Sequence, residues 1–277
     1  MVIGPGPLWV PATGLRIPRL MASLALTSVT SPTERRQQLK AVYEQAKGCT
    51  RCPLHQTRTT VVFGSGNADA DLMFVGEAPG ANEDKQGVPF VGQAGKLLTK
   101  LLNEIGLDRG EVFICNTVKC RPPNNRDPHP NEIESCNEYL RRQVELIQPT
   151  VICTLGNFST KLLRGDNTGI SRLHGQAEVR TIGARAIRLY PLYHPAAALY
   201  TPSNLEVLRA DFQRIPELLA LGPPEQPAVE DAEVPEPADA PDEVPEAGAT
   251  PDLDEPDEPG SSVGVPPELE TVQLGLF

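Results

Sequence analysis

The sequence Leu72-Met73-Phe74-Val75-Gly76-Glu77-Ala78-Pro79-Gly80 carries the clearest structural signal in the chain. Its first four residues form an uninterrupted apolar run, which is typical of a buried strand in a parallel sheet. The Gly-Glu-Ala-Pro-Gly sequence predicts a tight turn whose backbone N–H groups suit an anionic or carbonyl-rich ligand. Because helical apolar spacing follows at residues 96–105, we expect a strand–loop–helix unit with its ligand at the carboxyl end of the strand.

Three further apolar runs predict strands at residues 111–118, 151–156 and 185–193. Helical spacing predicts helices at residues 32–47, 130–147, 157–163 and 205–221, and Pro216 is expected to end or kink the last one. Strands that alternate with helices favour a sheet covered on both faces. The sequence therefore predicts an α/β fold, a three-layer α/β/α sandwich around a four-stranded parallel sheet.

Three of the four predicted strands end at residues whose side chains can take part in chemistry. These residues are Glu77, Asn116 and His194. The carboxyl ends of parallel strands lie along the same edge of a sheet. We therefore predict one active site at that edge.

The charge of the chain is distributed unevenly. The whole chain carries −11, and residues 222–277 carry −16 because they contain sixteen Asp and Glu but no Lys or Arg, so residues 1–221 carry +5. A basic body with an acidic tail suits a nucleic-acid-binding protein. Charge alone also fits a soluble domain with a solvated tail.

The cysteines form a pattern typical of a metal site. Cys49-x2-Cys52, closed by a proline, is a knuckle that can direct two thiolates at one centre, and Cys120 and Cys136 supply a second pair. Prolines interrupt the first twenty residues, and no run approaches the length of a membrane span. We therefore expect a cytoplasmic protein without a membrane partner, in which clustered cysteines bind a metal or an iron–sulfur cluster.

The two ends of the chain lack the periodicity of a packed domain. Residues 1–32 are predicted to be a disordered extension, residues 33–221 the folded domain, and residues 222–272 a disordered acidic linker with twelve prolines. The chain then becomes apolar at Gln273-Leu274-Gly275-Leu276-Phe277. This pentapeptide resembles the motif that binds the bacterial sliding clamp, in which Gln273, Leu274, Leu276 and Phe277 are the binding residues; a frayed apolar end is the alternative.

Four motifs occur together within residues 39–219. They are Gly76-Glu77-Ala78-Pro79-Gly80 with Glu83-Asp84, Gly87-x-Pro89-Phe90-Val91-Gly92, Asn116-x-x-Lys119-Cys120-Arg121-Pro122-Pro123-x-Asn125-Arg126, and His194-Pro195-Ala196-Ala197. In combination they resemble the family 4 uracil-DNA glycosylases, the bacterial iron–sulfur branch of that superfamily. The resemblance implies a uracil-DNA glycosylase-like fold and a monomeric enzyme at the bacterial nucleoid.

The resemblance also implies a cofactor. In that family four thiolates hold a [4Fe–4S] cluster, and here they would be Cys49, Cys52, Cys120 and Cys136. Since N-glycosidic hydrolysis is redox-neutral, we expect the cluster to be structural. Cys115 and Cys153 match no ligand position and are expected in the core.

The resemblance further implies a pocket for a uracil flipped out of DNA. Its residues would be Gly76, Glu77, Ala78, Phe90, Asn116 and His194. Phe90 would stack on the base and Asn116 would read its edge, while the catalytic pair would be Glu77, which positions or activates water, and His194, which donates to uracil O2. Taken singly, Phe90 also fits a core aromatic, Asn116 a strand cap and His194 a structural histidine.

Two segments are predicted to contact uracil-containing DNA. The basic loop supplies Lys119, Arg121 and Arg126 for phosphates. The segment after His194, Ala198-Leu199-Tyr200, is expected to be a loop that enters the minor groove. Leu199 or Tyr200 would be the wedge for the gap left by the flipped base, although relatives often carry Arg at the position of Tyr200.

Two alternatives belong to other functional classes. The first is a DNA-binding zinc module without catalysis, because four cysteines also fit zinc. The second is a relative that traps uracil-DNA covalently through a histidine, for which His129 would be the nucleophile. That branch carries Gln where this chain has Ala78.

Overall fold

The computed structural model describes residues 31–227. The predictions for residues 1–30 and 228–277 lie outside the described residues. They include the disordered amino-terminal extension, most of the acidic linker, and the clamp motif at Gln273, Leu274, Leu276 and Phe277.

The described chain alternates helices and strands. The helices are α1 (Pro32–Lys47), α2 (Ala81–Gln86), α3 (Gln93–Glu104), α4 (Pro130–Ile147), α5 (Asn157–Arg164), α6 (Ile170–Leu173), α7 (Pro195–Tyr200), α8 (Pro202–Gln213) and α9 (Ile215–Ala220). The strands are β1 (Ser65–Gly66), β2 (Leu72–Gly76), β3 (Phe113–Asn116), β4 (Val151–Leu155), β5 (Glu178–Ile182) and β6 (Arg185–Leu192). Short 3-10 turns lie at Pro53–Gln56 and Pro123–Asn125.

The sheet confirms the predicted α/β fold and adds two strands at its edges. Its order is β1-β3-β2-β4-β6-β5, and the four central strands are parallel, as predicted. β1 and β5 pair antiparallel with their neighbours, so the sheet has six strands within residues 31–227 instead of the predicted four. Sequence patterns did not indicate them, because β1 has two residues and β5 is a largely polar edge strand.

The parallel strands are buried on both faces, which explains their continuous apolar runs. Met73 and Val75 of β2 belong to a core with side chains of α1 and α4. Leu72 and Phe74 point to the opposite face and belong to a core with side chains of α3 and α8. The three-layer α/β/α arrangement follows from this alternation.

The predicted closing helix, residues 205–221, is two helices. α8 begins earlier, at Pro202, and ends at Gln213, and α9 begins at Ile215 with Pro216 in its first turn. Because proline has no N–H group, it cannot bond the carbonyl of Phe212 one turn earlier, and the helix breaks there.

α4 is the longest helix of residues 31–227, with 18 residues. It carries several charged side chains, among them Glu132, Arg141 and Glu145. Neither α4 nor any other described helix combines the length and the apolar character that crossing a bilayer requires.

Replacing Phe212 by alanine should destabilise the fold. Its ring is buried and stacks on Phe74 with 5.8 Å between ring centroids. Phe212→Ala removes this packing and leaves a cavity, so the free energy of unfolding should fall by about 3–5 kcal/mol. Chemical denaturation measures this free energy of unfolding. Leu221→Ala is the control, since Leu221 is 65% exposed; equal losses in both variants would contradict the assigned core.

Candidate active site

Three strand ends form one cleft at the carboxyl edge of the parallel strands. β2 and β3 pair in register, with Gly76 opposite Asn116, and β6 ends two residues before His194. The cleft is lined by Glu77, Ala78, Pro79, Gly80, Glu83, Phe90, Ala94, Asn116, Pro122, Asn125, Arg126, His194 and Ala196. The structure thus brings together Glu77, Ala78, Phe90, Asn116 and His194, as the sequence predicted.

Gly76 occupies a position where a side chain has no room. A Cβ atom there would lie 2.4 Å from Asn116 Oδ1 and 2.7 Å from the Phe90 ring. The absence of a side chain therefore lets the Asn116 amide and the Phe90 ring approach the end of β2. Gly76 contributes space for these two side chains.

Phe90 is held in an unusual backbone conformation. Its φ is +53°, in the left-handed region that residues other than glycine rarely adopt. Glu83 Oε1 accepts from the N–H groups of Val91 and Gly92 at 3.0 Å each, and Arg109 Nη2 donates to the Pro89 carbonyl at 2.6 Å. These contacts on both sides of Phe90 fix its ring at the cleft. No role was predicted for Glu83 or Arg109, because each acts through backbone atoms of another segment.

His194 is held as a neutral imidazole. It caps the amino terminus of α7, and its Nδ1 accepts from the Ala196 N–H at 3.1 Å. Burial lowers the pKa of His194 to about 4, although the charge of Glu83 opposes this shift. Since Nδ1 is an acceptor, the ring proton of the neutral form is on Nε2. The imidazole is therefore an uncharged donor through Nε2.

The pKa of Glu77 is shifted in the opposite direction, upward from its ordinary value. Burial, the charge of the Asp127 carboxylate and a side-chain hydrogen bond with Asp127 raise the pKa of Glu77 to about 7. The backbone carbonyl of Glu77 accepts from the Val118 N–H at 3.2 Å and from the Thr117 hydroxyl, which fixes the turn. Glu77 can therefore exchange a proton near neutral pH. A role for Asp127 in the site was not predicted from the sequence. The signal that could have indicated it is an acidic residue in an otherwise basic loop.

Lys119 corrects one prediction. Its side chain is buried, and Nζ donates to the Asn116 carbonyl at 2.7 Å and to Gln143 Oε1 at 2.6 Å. This burial contradicts the predicted contact between Lys119 and DNA phosphates. The ammonium group instead stabilises the backbone at Asn116, which a sequence pattern of basic residues does not reveal.

The other predicted DNA-contacting residues lie near the surface. Arg126 lines the cleft and is fixed by a two-pronged ion pair with Glu132, at 2.9 and 2.7 Å. Arg121 Nε donates to Asn125 Oδ1 at 2.7 Å. The predicted loop at Leu199 and Tyr200 is instead the end of helix α7, where the two side chains are 42% and 87% exposed. Arg121 and Arg126 therefore lie at the edge of the sheet that carries the cleft. Leu199 and Tyr200 lie on the helix beside the cleft.

A second cavity contains the four predicted ligand cysteines. Its lining residues are Ala46, Cys49, Arg51, Cys52, Arg58, Val61, Lys119, Cys120, Ser135, Cys136 and Tyr139. Arg58 Nη1 donates to Cys120 Sγ at 3.2 Å, and the Lys119 N–H donates to Cys136 Sγ at 3.3 Å. Donors of this kind suit thiolate sulfurs, so the residues fit a thiolate-bound group.

The other two cysteines do not line this cavity. Cys115 and Cys153 are fully buried in β3 and β4, as expected for core residues. Within residues 31–227, no group of three or more His, Cys, Asp or Glu side chains is arranged to hold one metal ion. His129 is exposed at the start of α4 and is not among the described residues that line the cleft.

The sequence matches known proteins over most of the described region. The model of the Uracil DNA glycosylase superfamily matches residues 63–217. A type-4 uracil-DNA glycosylase of Sulfurisphaera tokodaii is 50% identical over 185 residues, which is 65% of this chain and 84% of that protein. The corresponding values for type-4 enzymes of Archaeoglobus fulgidus and Thermotoga maritima are 47% over 187 residues (66% and 94%) and 46% over 171 residues (61% and 88%).

Replacing Lys119 by methionine should destabilise the protein. Lys119→Met leaves the Asn116 carbonyl and Gln143 Oε1 without their donor, and each buried group left unpaired costs about 1–3 kcal/mol. Chemical denaturation should show the loss, whereas Lys100→Met, on the exposed face of α3, should leave the free energy of unfolding unchanged. A stable Lys119→Met protein would contradict the role given to this ammonium group.

Proposed function

Because the chain belongs to the uracil-DNA glycosylase superfamily, and is similar to type-4 enzymes over most of their length, we propose that it hydrolyses the N-glycosidic bond of deoxyuridine in DNA. These matches confirm the family predicted from the motifs. The reaction releases uracil and leaves an abasic site, the first step of base excision repair. The main structural support for this function is the cleft in which Glu77, Phe90, Asn116 and His194 meet.

The cleft suits a base that has left the DNA stack. An enzyme that breaks the bond to a base must extrude the nucleotide from the duplex. The Phe90 ring, fixed from both sides, supplies a face on which the base stacks. The Asn116 amide accepts from uracil N3–H and donates to O4, and cytosine presents the reverse pattern. Selectivity for uracil over cytosine follows from this pairing, because a mismatched base leaves buried polar groups unpaired.

His194 stabilises the leaving group. As the glycosidic bond breaks, negative charge develops on the uracil ring, and Nε2–H of the neutral imidazole donates to O2. The Ala196 N–H holds Nδ1, so the donor is oriented before the reaction begins. With a pKa of about 4, His194 stays uncharged at neutral pH.

Glu77 acts on the water. Its carboxylate accepts a proton from the water molecule that attacks the sugar, which requires the ionised form. With a pKa near 7, Glu77 is a stronger base than an ordinary carboxylate and is still ionised in a useful fraction at neutral pH. Asp127 assists by raising that pKa.

Surface residues hold the DNA. Arg121 and Arg126 contact phosphates beside the cleft. Leu199 and Tyr200 project from α7, which begins immediately after His194, and fill the gap left by the extruded nucleotide.

The four-cysteine cavity holds a [4Fe–4S] cluster in this proposal. Cys49, Cys52, Cys120 and Cys136 are the ligands, and the bound group supplies a structural crosslink between the end of α1, the loop after β3, and α4. The zinc alternative uses the same four thiolates and is distinguished by colour, because a zinc thiolate site is colourless and an iron–sulfur cluster is brown. The covalent alternative lacks support because His129 caps α4 and is not among the described cleft residues.

The chain outside the described residues completes the proposal. The pentapeptide Gln273–Phe277 binds the bacterial sliding clamp through Gln273, Leu274, Leu276 and Phe277, and residues 228–272 serve as its tether. The enzyme acts as a monomer in the bacterial cytoplasm, on single- or double-stranded DNA at the nucleoid.

Incubation with a uracil-containing oligonucleotide tests the function. Purified protein followed by alkali should cleave the strand at uracil, with free uracil released and no adduct that survives SDS. Oligonucleotides with thymine or cytosine at the same position are the controls. Tight binding without cleavage would favour a non-catalytic module, and an SDS-resistant band would favour the covalent alternative.

The activity should depend on pH through Glu77. The ionised carboxylate is the active form, so kcat/KM should fall about tenfold per pH unit below the pKa near 7 and level off above it. Asp127→Asn removes the neighbouring negative charge and lowers the pKa of Glu77, which moves the rising limb to lower pH. Glu134→Gln, an exposed change on α4, should leave the limb in place. An unchanged limb in Asp127→Asn would contradict the coupling of the two carboxyl groups.

Removing residues 273–277 should separate clamp binding from catalysis. The truncated protein should release uracil from short oligonucleotides at the wild-type rate but lose affinity for the sliding clamp in surface plasmon resonance. Phe277→Ala should weaken clamp binding, while Glu270→Gln serves as a matched change beside the motif. Equal clamp affinity of the truncated and full chains would exclude this role.

A further inference from the structure

Arg58 joins the two halves of the cysteine cavity. Its Nη1 donates to the Cys49 carbonyl at 2.8 Å and to Cys120 Sγ at 3.2 Å, and its Nη2 donates to the Lys47 carbonyl at 3.2 Å. Lys47 is the last residue of α1, and Cys49 begins the Cys-x2-Cys knuckle. Cys120 comes from the loop after β3. One guanidinium group thus connects the knuckle to a cysteine that lies 62 residues after Arg58 in the sequence.

The position of Arg58 is fixed from outside the cavity. The backbone N–H of the next residue, Thr59, donates to both carboxylate oxygens of Asp84, at 3.0 and 3.1 Å. Asp84 is 3% exposed and lies on α2, next to the Glu83 that holds the Phe90 loop. The backbone next to Arg58 is therefore anchored by a contact that lies outside the cavity.

Arg51 lines the same cavity but has another partner. Its Nη1 donates to Glu138 Oε2 at 2.6 Å, and its guanidinium group lies 5.1 Å from the centre of the Tyr139 ring. A carboxylate therefore balances the charge of Arg51. Among the described residues, no carboxylate lies within ion-pair distance of Arg58. The Arg58 guanidinium group instead donates to two carbonyls and a ligand sulfur.

We propose that Arg58 is a positioning residue for the iron–sulfur cluster: it orients Cys120 and sets the reduction potential of the cluster and its resistance to loss. The inference rests on the proposed cluster. Reduction potentials of such clusters depend on net charge and on hydrogen bonds to the sulfurs. A cationic donor to a ligand sulfur favours the more negatively charged, reduced state, so Arg58 raises the potential.

The test uses the full-length, cluster-loaded protein with three variants. Arg58→Met removes both the charge and the donors, Arg58→Lys keeps the charge without the two-pronged contact, and Arg51→Met is the matched control. Voltammetry measures the reduction potential. The bleaching rate of the visible cluster absorption, in the presence of a chelator and air, measures cluster loss, and circular dichroism monitors the fold.

Arg58→Met should have a lower reduction potential than wild type and should lose its cluster faster. Removing a residue that supports a metal ligand lowers metal affinity by about 10- to 100-fold, and we expect a rate increase of that order. Arg58→Lys should recover part of the potential but less of the retention, and Arg51→Met should shift both quantities less than Arg58→Met, because Glu138 balances the charge of Arg51. Potential and bleaching rate that are unchanged in Arg58→Met, or shifted equally in Arg51→Met, would overturn the role of Arg58. A colourless wild-type protein without iron would contradict the proposed cluster itself, so the two failures are distinguishable.

Discussion

The pairing of Gly76 with Asn116, at the ends of two neighbouring parallel strands, is the constraint on which the rest of the site depends. It places the Asn116 amide beside a residue that has no side chain, so the Phe90 ring can approach the same point. Lys119 then binds the Asn116 carbonyl from inside the protein, and Glu83 and Arg109 fix the Phe90 loop. The geometry of the cleft is thereby set by buried contacts that no substrate has to provide.

Burial has opposite effects on Glu77 and His194, two of the ionisable groups that line this cleft. It raises the pKa of Glu77, with help from Asp127, and lowers the pKa of His194. The same low-dielectric surroundings therefore supply a carboxylate that accepts protons near neutral pH and an imidazole that donates without carrying charge. A hydrolytic reaction that needs both a base for water and a donor for the leaving group can use this pair.

The sequence predicted the parts of the molecule that periodicity and motifs encode. Four parallel strands, the helices α3, α4 and α5 between them, and the meeting of Glu77, Asn116 and His194 followed from apolar runs and from where those runs end. The short helices α2 and α6 were not predicted. The edge strand β5 was missed because its stability comes from pairing with β6, and not from an apolar pattern of its own. Lys119 was misjudged, since a basic residue in a basic loop gives no sign that its ammonium group has buried partners. Arg58 and Asp127 act on groups distant in sequence, which only the folded chain reveals.

The most direct test of the central claim is a crystal structure of the protein with uracil bound. We predict that the base stacks on Phe90, that the Asn116 amide lies in the plane of the base opposite N3 and O4, and that His194 Nε2 lies within about 3 Å of O2, the distance of a hydrogen bond. Uracil bound outside this cleft, or an imidazole that faces O2 through another atom, would contradict the account.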